Sequence, residues 1–228
     1  LFRSAGGDAH HYQLRPSQAG SLQDAGLLVW VGPEMSPWLD RPAAALTAKG
    51  DALALLAAPG TQRQNFASGG EDHDHEGHDH AGHDHDGHDH DSAGDGDEDG
   101  RHHSGVDPHA WLNPDNGRVW VQAIAEALAA RDPQNAATYR ANAATAEAGI
   151  AALDGELRAT LAPVQGKPFV VFHDAYGYFT THFGLKPAIA VSLGDASTPS
   201  AGRLRTIRDQ IAAGGAVCAF PEANHDAR

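Results

Sequence analysis

The sequence predicts an α/β protein in which parallel sheets form two lobes, with one long helix as a rigid spine between them. Two observations indicate this fold. Short apolar runs that suit buried strands alternate with stretches of helical spacing, and one Ala-rich helical stretch is much longer than the others. In parallel sheets of this kind, ligands bind at the carboxyl ends of the strands, so we expect a site between the lobes.

The first predicted elements are two strands separated by a helix. Residues 27–31 (LLVWV) form a continuous apolar run that Gly32 and Pro33 close, which is typical of a buried strand. Residues 37–49 carry helical spacing, and residues 52–58 have the pattern of another short strand. This order of elements favours a parallel pair of strands.

Two long helices follow. Residues 117–131 place apolar side chains on one face, and Asp115 or Asn116 is the predicted N-cap. Residues 133–161 form the Ala-rich helix, with Pro133 in its first turn. About 30 residues at 1.5 Å each span roughly 45 Å. That length exceeds what an ordinary packing helix needs and favours a spine.

The C-terminal part of the chain again alternates strand and helix. Residues 168–172 (PFVVF) predict a buried strand, residues 203–213 a helix and residues 216–220 a last strand. Cys218, the single cysteine, is either a small buried hydrophobe or half of a disulfide. No run of 18 apolar residues occurs, so we expect no transmembrane helix.

A histidine-rich segment interrupts these elements. Residues 73–92 read HDHEG HDHAG HDHDG HDHDS, four copies of a five-residue unit that combines histidines with acids. Neutral imidazole is the commonest protein ligand for zinc, copper and nickel, so the segment predicts metal binding. A solvated spacer, an engineered tag and a pH-sensitive coil are the other interpretations. We expect weak metal sites at His73, His75, His78, His80, His83, His85, His88 and His90.

The surrounding segment, residues 68–105, has almost no large apolar side chain, so we expect a disordered loop inserted into a folded domain. It also carries 13 of the 30 acids. The other 17 acids nearly balance the 16 lysines and arginines, so the folded body is close to neutral. The chain therefore lacks the basic balance that is typical of nucleic-acid binding, and we expect no nucleic-acid partner.

Three histidines outside the loop lie at the edges of predicted elements. His10 precedes a helix start, His109 lies in a turn that opens a helix, and His173 directly follows the strand at residues 168–172. Such a set predicts a zinc site with an open or water-filled fourth position, although unrelated surface histidines would give the same pattern. His182, within a helical run, is more simply a structural histidine.

Four motifs in the same order resemble the zinc-specific solute-binding proteins of bacterial ABC importers, the ZnuA type. They are HHYQLRPS at residues 10–17, LVWVGPE at 28–34, DPHAWL at 107–112 and FHDAYGYF at 172–179. The resemblance extends from about residue 5 to residue 224 and includes the charged loop. It implies two Rossmann-like lobes with parallel sheets bridged by a long helix. It also implies a metal ion in the cleft, held by His10, His109 and His173.

The resemblance also suggests how the chain divides. Residues 1–131 and 163–228 would be the lobes, with residues 132–162 as the spine helix. The chain begins without an initiator Met and stops soon after a strand, so we expect both lobes to be incomplete. Members of the family often have a disulfide in the C-terminal lobe, and Cys218 matches its first half.

The sequence departs from the family at the fourth metal ligand. Some members have a glutamate immediately before the first histidine, where this chain has Ala9. The candidates are therefore water, His11, Asp8 or a donor from the loop. Asp174 is a candidate to orient the ring of His173, or else to cap the following helix.

The function that the resemblance implies is capture of Zn²⁺ in the periplasm and delivery to an ABC-type membrane permease. We expect a monomer that is not an enzyme, with other periplasmic zinc chaperones as further candidate partners. A nickel or copper storage chaperone, with the loop as its main site, is the second interpretation. A zinc hydrolase is the third, although the sequence contains no HExxH motif to supply a general base.

Overall fold

Short strands and helices alternate along the chain in a computed structural model that describes residues 10–47, 52–66, 105–192 and 199–222. The strands form two separate parallel sheets, which confirms the predicted α/β class. In chain order the elements are α1 (Pro16–Gln23), β1 (Leu28–Trp30), α2 (Asp40–Thr47), β2 (Ala52–Ala54), α3 (Pro114–Arg131), α4 (Ala136–Leu161), β3 (Phe169–His173), α5 (Gly177–Phe183), β4 (Ile189–Ser192), α6 (Ala201–Gly214) and β5 (Cys218–Phe220).

The N-terminal sheet pairs β1 with β2 in parallel, with Val29 opposite Leu53. The strand predicted over residues 52–58 is shorter than expected, because the chain turns into a 3-10 helix at Leu55–Ala57. That turn places Leu55 and Leu56 in the core, so the apolar pattern reflects burial beyond the strand itself. The helix predicted at residues 37–49 also starts with a 3-10 turn before α2.

Helix α3 begins earlier than predicted, and its cap is neither Asp115 nor Asn116. The side chain of Asn113 accepts the backbone N–H of Asp115 at 2.9 Å, and Pro114 occupies the first helical position. Proline is favoured there because its missing N–H would have no partner in the helix. The fully buried Asn116 donates instead to the carbonyl oxygens of Gln62 and Ala110.

The predicted long helix is confirmed as α4, whose 26 residues span about 39 Å. It packs along α3, where Arg140 donates two hydrogen bonds of 2.7 Å to the carboxylate of Glu126. Near its other end, Asp154 lies 2.7 Å from Nε2 of His182 in α5. Helix α4 therefore contacts α3, which precedes it, and α5, which follows the strand of His173. The domain boundaries at residues 131 and 162 stay a prediction.

The C-terminal sheet has the strand order β4–β3–β5, with all pairs parallel. Strand β3, predicted from its apolar run, is central, so His173 ends a strand with a neighbour on each side. Strand β4 was not predicted, because its four residues are too few for a clear period and Pro187 precedes them. Helix α5 ends at Gly184, whose φ of 65° is the left-handed conformation that glycine adopts without strain.

Apolar side chains form two buried clusters in the described residues. We call the first the central core, and it contains one residue of α5 among residues from earlier in the chain. Its members are Leu55, Leu56, Ala58, Ala110, Trp120 and Tyr178. The second lies under α1 and α2 and comprises Leu22, Leu39, Ala43 and Leu46.

Cys218 is exposed on β5, so the interpretation as a buried hydrophobe is wrong. All three residues of this short strand, which lies at the edge of its sheet, are exposed. The 228 residues contain no second cysteine, so they give no support to the predicted disulfide, whose second half was expected beyond Arg228. Among the described residues, no helix is both long and apolar enough to cross a membrane.

Candidate metal site

The structure brings His10, His109 and His173 together, although they come from three distant parts of the sequence. One ring nitrogen from each lies within 4.8 Å of the others. His109 lies at the start of a 3-10 turn that precedes α3, and His173 is the last residue of the central strand β3. His10 approaches both, with ring centroids 5.4 Å from that of His109 and 6.3 Å from that of His173.

The ring of His109 is held by Asp107. Both residues are 2% exposed, and Oδ1 of Asp107 lies 2.7 Å from Nδ1 of His109. The same oxygen accepts the backbone N–H of His109 at 2.9 Å. A carboxylate on Nδ1 fixes the orientation of the ring and makes Nε2 a better ligand.

The ring of His173 is held in the same way by Glu222, whose carboxylate contacts Nδ1 of His173. Glu222 comes just after β5, which is hydrogen-bonded to β3 on one side. The two residues therefore meet at the carboxyl edge of the C-terminal sheet, where the ends of parallel strands come together.

The distance between the two Nε2 atoms suits a tetrahedral metal ion. Nε2 of His109 and Nε2 of His173 are 3.3 Å apart. Zinc bound to imidazole at about 2.0–2.1 Å in a tetrahedron requires its nitrogen ligands to be roughly 3.3–3.4 Å apart. The two nitrogens are thus spaced for one zinc ion, with His10 beside them as a third donor.

The structure separates the candidates for the fourth ligand. His11 is exposed and does not belong to the group of three converging histidines. Asp8 and His225 lie outside the described residues, as do the eight histidines of the four repeats. Of the predicted loop, only its last residue, Gly105, is described. Residues that the structure describes therefore supply three nitrogen donors to this site.

Asp174 is partly buried beside the site, but its predicted role as a helix cap is wrong. The N-cap of α5 is Tyr176, two residues further on. Burial, together with the negative charge of Asp107, raises the pKa of the Asp174 carboxyl. The carboxylates at Nδ1 of His109 and of His173 are those of Asp107 and Glu222, while a role for Asp174 in orienting His173 stays a prediction.

The sequence contained a signal for only one of the two carboxylates that hold the rings. Asp107 comes two residues before His109 in the DPH motif, close enough for its side chain to reach back to the ring. Glu222 is separated from His173 by 49 residues, and only the pairing of β5 with β3 brings it near. Without that pairing, Glu222 is one acid among 30.

His182 is a structural histidine, as predicted. Its side chain is 6% exposed, and Nε2 contacts both Asp154 and Arg158 of α4 at 2.7 Å. It thus joins α5 to α4 and does not belong to the converging group.

Two aromatic side chains lie against His109. The ring centroids of Trp111 and Phe66 are 5.4 and 6.3 Å from that of His109, and Trp111 is 40% exposed.

Phe66 also lies at the base of the histidine-rich insertion. Its backbone N–H bonds to the carbonyl oxygen of Gly105, and Asn65 pairs with Val106 in an antiparallel bridge. The base of the insertion therefore lies next to the histidine site.

Comparison with known proteins finds relatives that are named for zinc uptake. The chain is 63% identical over 226 residues to the high-affinity zinc uptake system protein ZnuA of Paracoccus denitrificans, covering 99% of this chain and 69% of that protein. It is 40% identical to the protein of the same name from Brucella abortus, covering 97% of this chain and 69% of the relative.

Solved structures share the fold. The periplasmic zinc-binding protein TroA from Treponema pallidum superposes with a TM-score of 0.74 at 18% identity, covering 97% of this chain and 68% of that one. The AdcAII protein of Streptococcus pneumoniae gives a TM-score of 0.70 at 19% identity, covering 97% of this chain and 70% of that one. The model of the family described as "zinc-uptake complex component A, periplasmic" matches residues 3–228, and the chain belongs to that family.

Proposed function

We propose that the protein captures Zn²⁺ in the periplasm through His10, His109 and His173 and delivers it to an ABC-type membrane permease. The observation that carries this proposal is the 3.3 Å separation of two Nε2 atoms whose rings are each fixed by a carboxylate on the opposite nitrogen. Zinc is the cargo in this scheme, and no reaction is required of the site.

The donor set supports zinc over harder metal ions. Three imidazole nitrogens suit borderline-soft Zn²⁺, whereas Mn²⁺ favours sites richer in carboxylate oxygen. Copper would bind nitrogen donors more strongly than zinc on raw affinity alone. Selectivity against copper must therefore come from tetrahedral geometry and from the metal supply, and the nearly tetrahedral spacing of the nitrogens is consistent with this.

Delivery to a permease is supported by family membership, since relatives are named as high-affinity zinc uptake proteins. We propose that the protein acts as a monomer without nucleic-acid partners, and that other periplasmic zinc chaperones are further candidate partners. Two lobes, residues 1–131 and 163–228, would enclose the metal ion, with residues 132–162 as the helix that holds them.

The two other functions receive less support. A nickel or copper storage chaperone would place most of its metal in the loop, yet the three converging histidines outside the loop could hold a metal ion. A zinc hydrolase would need an acid placed as a general base on a bound water. The carboxylates of Asp107 and Glu222 are instead engaged with the far nitrogens of the ligand rings.

Competition titration tests the proposal. Metal-free protein would be titrated with Zn²⁺, Mn²⁺, Ni²⁺ and Cu²⁺ against a chromophoric chelator, with bound ions counted by elemental analysis. We expect one tight zinc site that Mn²⁺ does not occupy at equal concentration. Tight binding of Mn²⁺, or no tight zinc site, would contradict the proposal. Hydrolysis of ester or peptide substrates by the zinc-saturated protein would favour the enzyme.

A further inference from the structure

Tyr178 connects the part of the molecule that carries His173 to the part that carries His109. It belongs to α5, five residues after His173, and is 3% exposed. Its ring belongs to the central core, whose other members, Leu56 and Trp120 among them, come from much earlier in the chain. The helix that follows the His173 strand is therefore anchored in the core beneath the His109 turn.

The hydroxyl of Tyr178 closes a hydrogen-bonded ring with Gln64 and Asp107. It accepts the backbone N–H of Gln64 at 2.9 Å and donates to the backbone carbonyl oxygen of Asp107 at 3.0 Å. Asp107 in turn donates its own N–H to the carbonyl oxygen of Gln64 at 2.9 Å. Burial raises the pKa of Tyr178, so the hydroxyl keeps the proton that it donates.

Gly177, the residue before Tyr178, lets the start of α5 lie close to the side chains of Gln64 and Asp107. A Cβ atom on Gly177 would lie 2.5 Å from Nε2 of Gln64 and 3.1 Å from Oδ2 of Asp107. Both distances are shorter than ordinary contacts, so any larger residue would push these side chains away. The start of α5 is thus fitted closely to Asp107 through two consecutive residues.

We propose that Tyr178 is a positioning residue for the metal site, an inference that rests on the proposed function. Its hydroxyl fixes the backbone of Asp107, and the carboxylate of Asp107 fixes the ring of His109. Because the same helix follows directly on β3, this chain of contacts sets His109 relative to His173. It therefore maintains the 3.3 Å spacing of the two Nε2 atoms.

The test compares Tyr178→Phe, which removes only the hydroxyl, with Tyr139→Phe. Tyr139 of α4 donates to the carboxylate of Asp132, which follows α3, at 3.0 Å. The control therefore removes a hydroxyl–carboxylate contact that lies outside the site. We expect Tyr178→Phe to weaken zinc binding about tenfold, as is typical when a group supporting a metal ligand is lost. The visible bands of Co²⁺ bound in place of zinc should also change. Tyr139→Phe should alter neither.

A double-mutant cycle with Asp107→Asn distinguishes positioning from general stability. If Tyr178 acts through the carboxylate of Asp107, adding Tyr178→Phe to Asp107→Asn should weaken binding less than about twofold further. Equal effects in both backgrounds would overturn the inference, as would a Tyr178→Phe variant with a lower melting temperature but unchanged zinc affinity and Co²⁺ spectrum.

A second variant covers the case in which Tyr178→Phe does not fold. Gly177→Ala keeps the hydroxyl and displaces Gln64 and Asp107, so it should also weaken zinc binding and shift the Co²⁺ spectrum. Wild-type behaviour of Gly177→Ala would then overturn the inference. Failure of the wild-type protein itself to bind zinc tightly would instead contradict the proposed function.

Discussion

One carboxylate oxygen of Asp107, Oδ1, contacts two atoms of His109. They are the backbone nitrogen at 2.9 Å and the ring Nδ1 at 2.7 Å. The first contact fixes the turn and the second fixes the ring within that turn. Since both residues are almost fully buried, water cannot replace the carboxylate easily. The direction of Nε2 toward His173 is therefore fixed by Asp107, and a ligand that the protein itself orients lowers the cost of binding.

Replacing Asp107 by Ala should weaken zinc binding by about 10- to 100-fold, because the ring of His109 loses the group that orients it. The measurement is competition titration at pH 7.5, together with the melting temperature to confirm folding. Asp209→Ala, an exposed carboxylate on α6, is the matched control and should bind zinc like the wild type. Unchanged affinity in the Asp107 variant would show that the carboxylate does not support the ligand.

Each of the three histidines should be necessary for tight binding. Replacing His10, His109 or His173 by Ala removes one of only three or four bonds to the metal, so we expect affinity to fall at least tenfold. His11→Ala is the control, because His11 is exposed and outside the converging group. A comparable loss in the His11 variant would instead identify it as the fourth ligand.

Zinc affinity should fall as the pH drops below about 6.5, the range in which imidazole takes up a proton. A histidine must be neutral to bind a metal ion, so protons compete with zinc for each ligand. Titrations between pH 7.5 and 5 would measure the effect. Binding that stays constant over this range would show that carboxylates, and not these histidines, dominate the site.

The contact between α4 and α5 should make stability depend on acid pH. Burial by itself would raise the pKa of Asp154, but hydrogen bonds from His182 and Arg158 lower it below the ordinary 3.8. Because the carboxyl has the lower pKa in the folded state, its stabilising effect is present above pH 3.8 and is lost as the pH falls through the lowered value.

Asp154→Asn should therefore reduce the free energy of unfolding at pH 7 by about 1 kcal/mol. The difference from the wild type should narrow as the pH is lowered from 7 to 3. Urea unfolding at each pH measures it, with Asp209→Asn as an exposed control that has little effect. A difference that is the same at both pH values would show that the charge of Asp154 is not what stabilises the contact.

Deleting residues 71–103 should remove several weak metal sites and leave one tight site of similar affinity. The four repeats offer many combinations of two or three ligands and no single defined set, so we expect these sites to fill after the three-histidine site. Tethered ligands raise the local concentration of zinc, so the deletion should also slow zinc capture when zinc is scarce. Calorimetry that finds no tight site in the deletion variant would favour the storage function.

The strongest sequence patterns predicted the fold correctly, and the errors fall where an element is short or where a tertiary contact decides. The continuous apolar run ending at Phe172 and the long Ala-rich stretch before Leu161 identify a strand and a helix, and both elements are present. Strand β4 is too short for that. The cap of α3 was misplaced because Asn113, Asp115 and Asn116 all suit a cap, and only the buried contacts of Asn116 decide between them.

The three converging histidines could be predicted because each lies at the edge of an element in a specific motif. The residues that hold these histidines in place could not be predicted to the same extent. Glu222 meets His173 only through the pairing of β5 with β3, and Tyr178 meets Asp107 only through the packing of the central core. Such contacts depend on tertiary structure, which leaves no periodic trace in a single sequence.

The antiparallel bridge between Asn65 and Val106 pairs the two ends of the chain that flank the histidine-rich insertion. The insertion therefore leaves the folded part and returns to it at the same point. The entropy of closing a loop grows only with the logarithm of its length, about 0.6 kcal/mol for each doubling. The insertion can therefore be lengthened, shortened or replaced, even by a fluorescent reporter protein, without moving the neighbouring ligand His109.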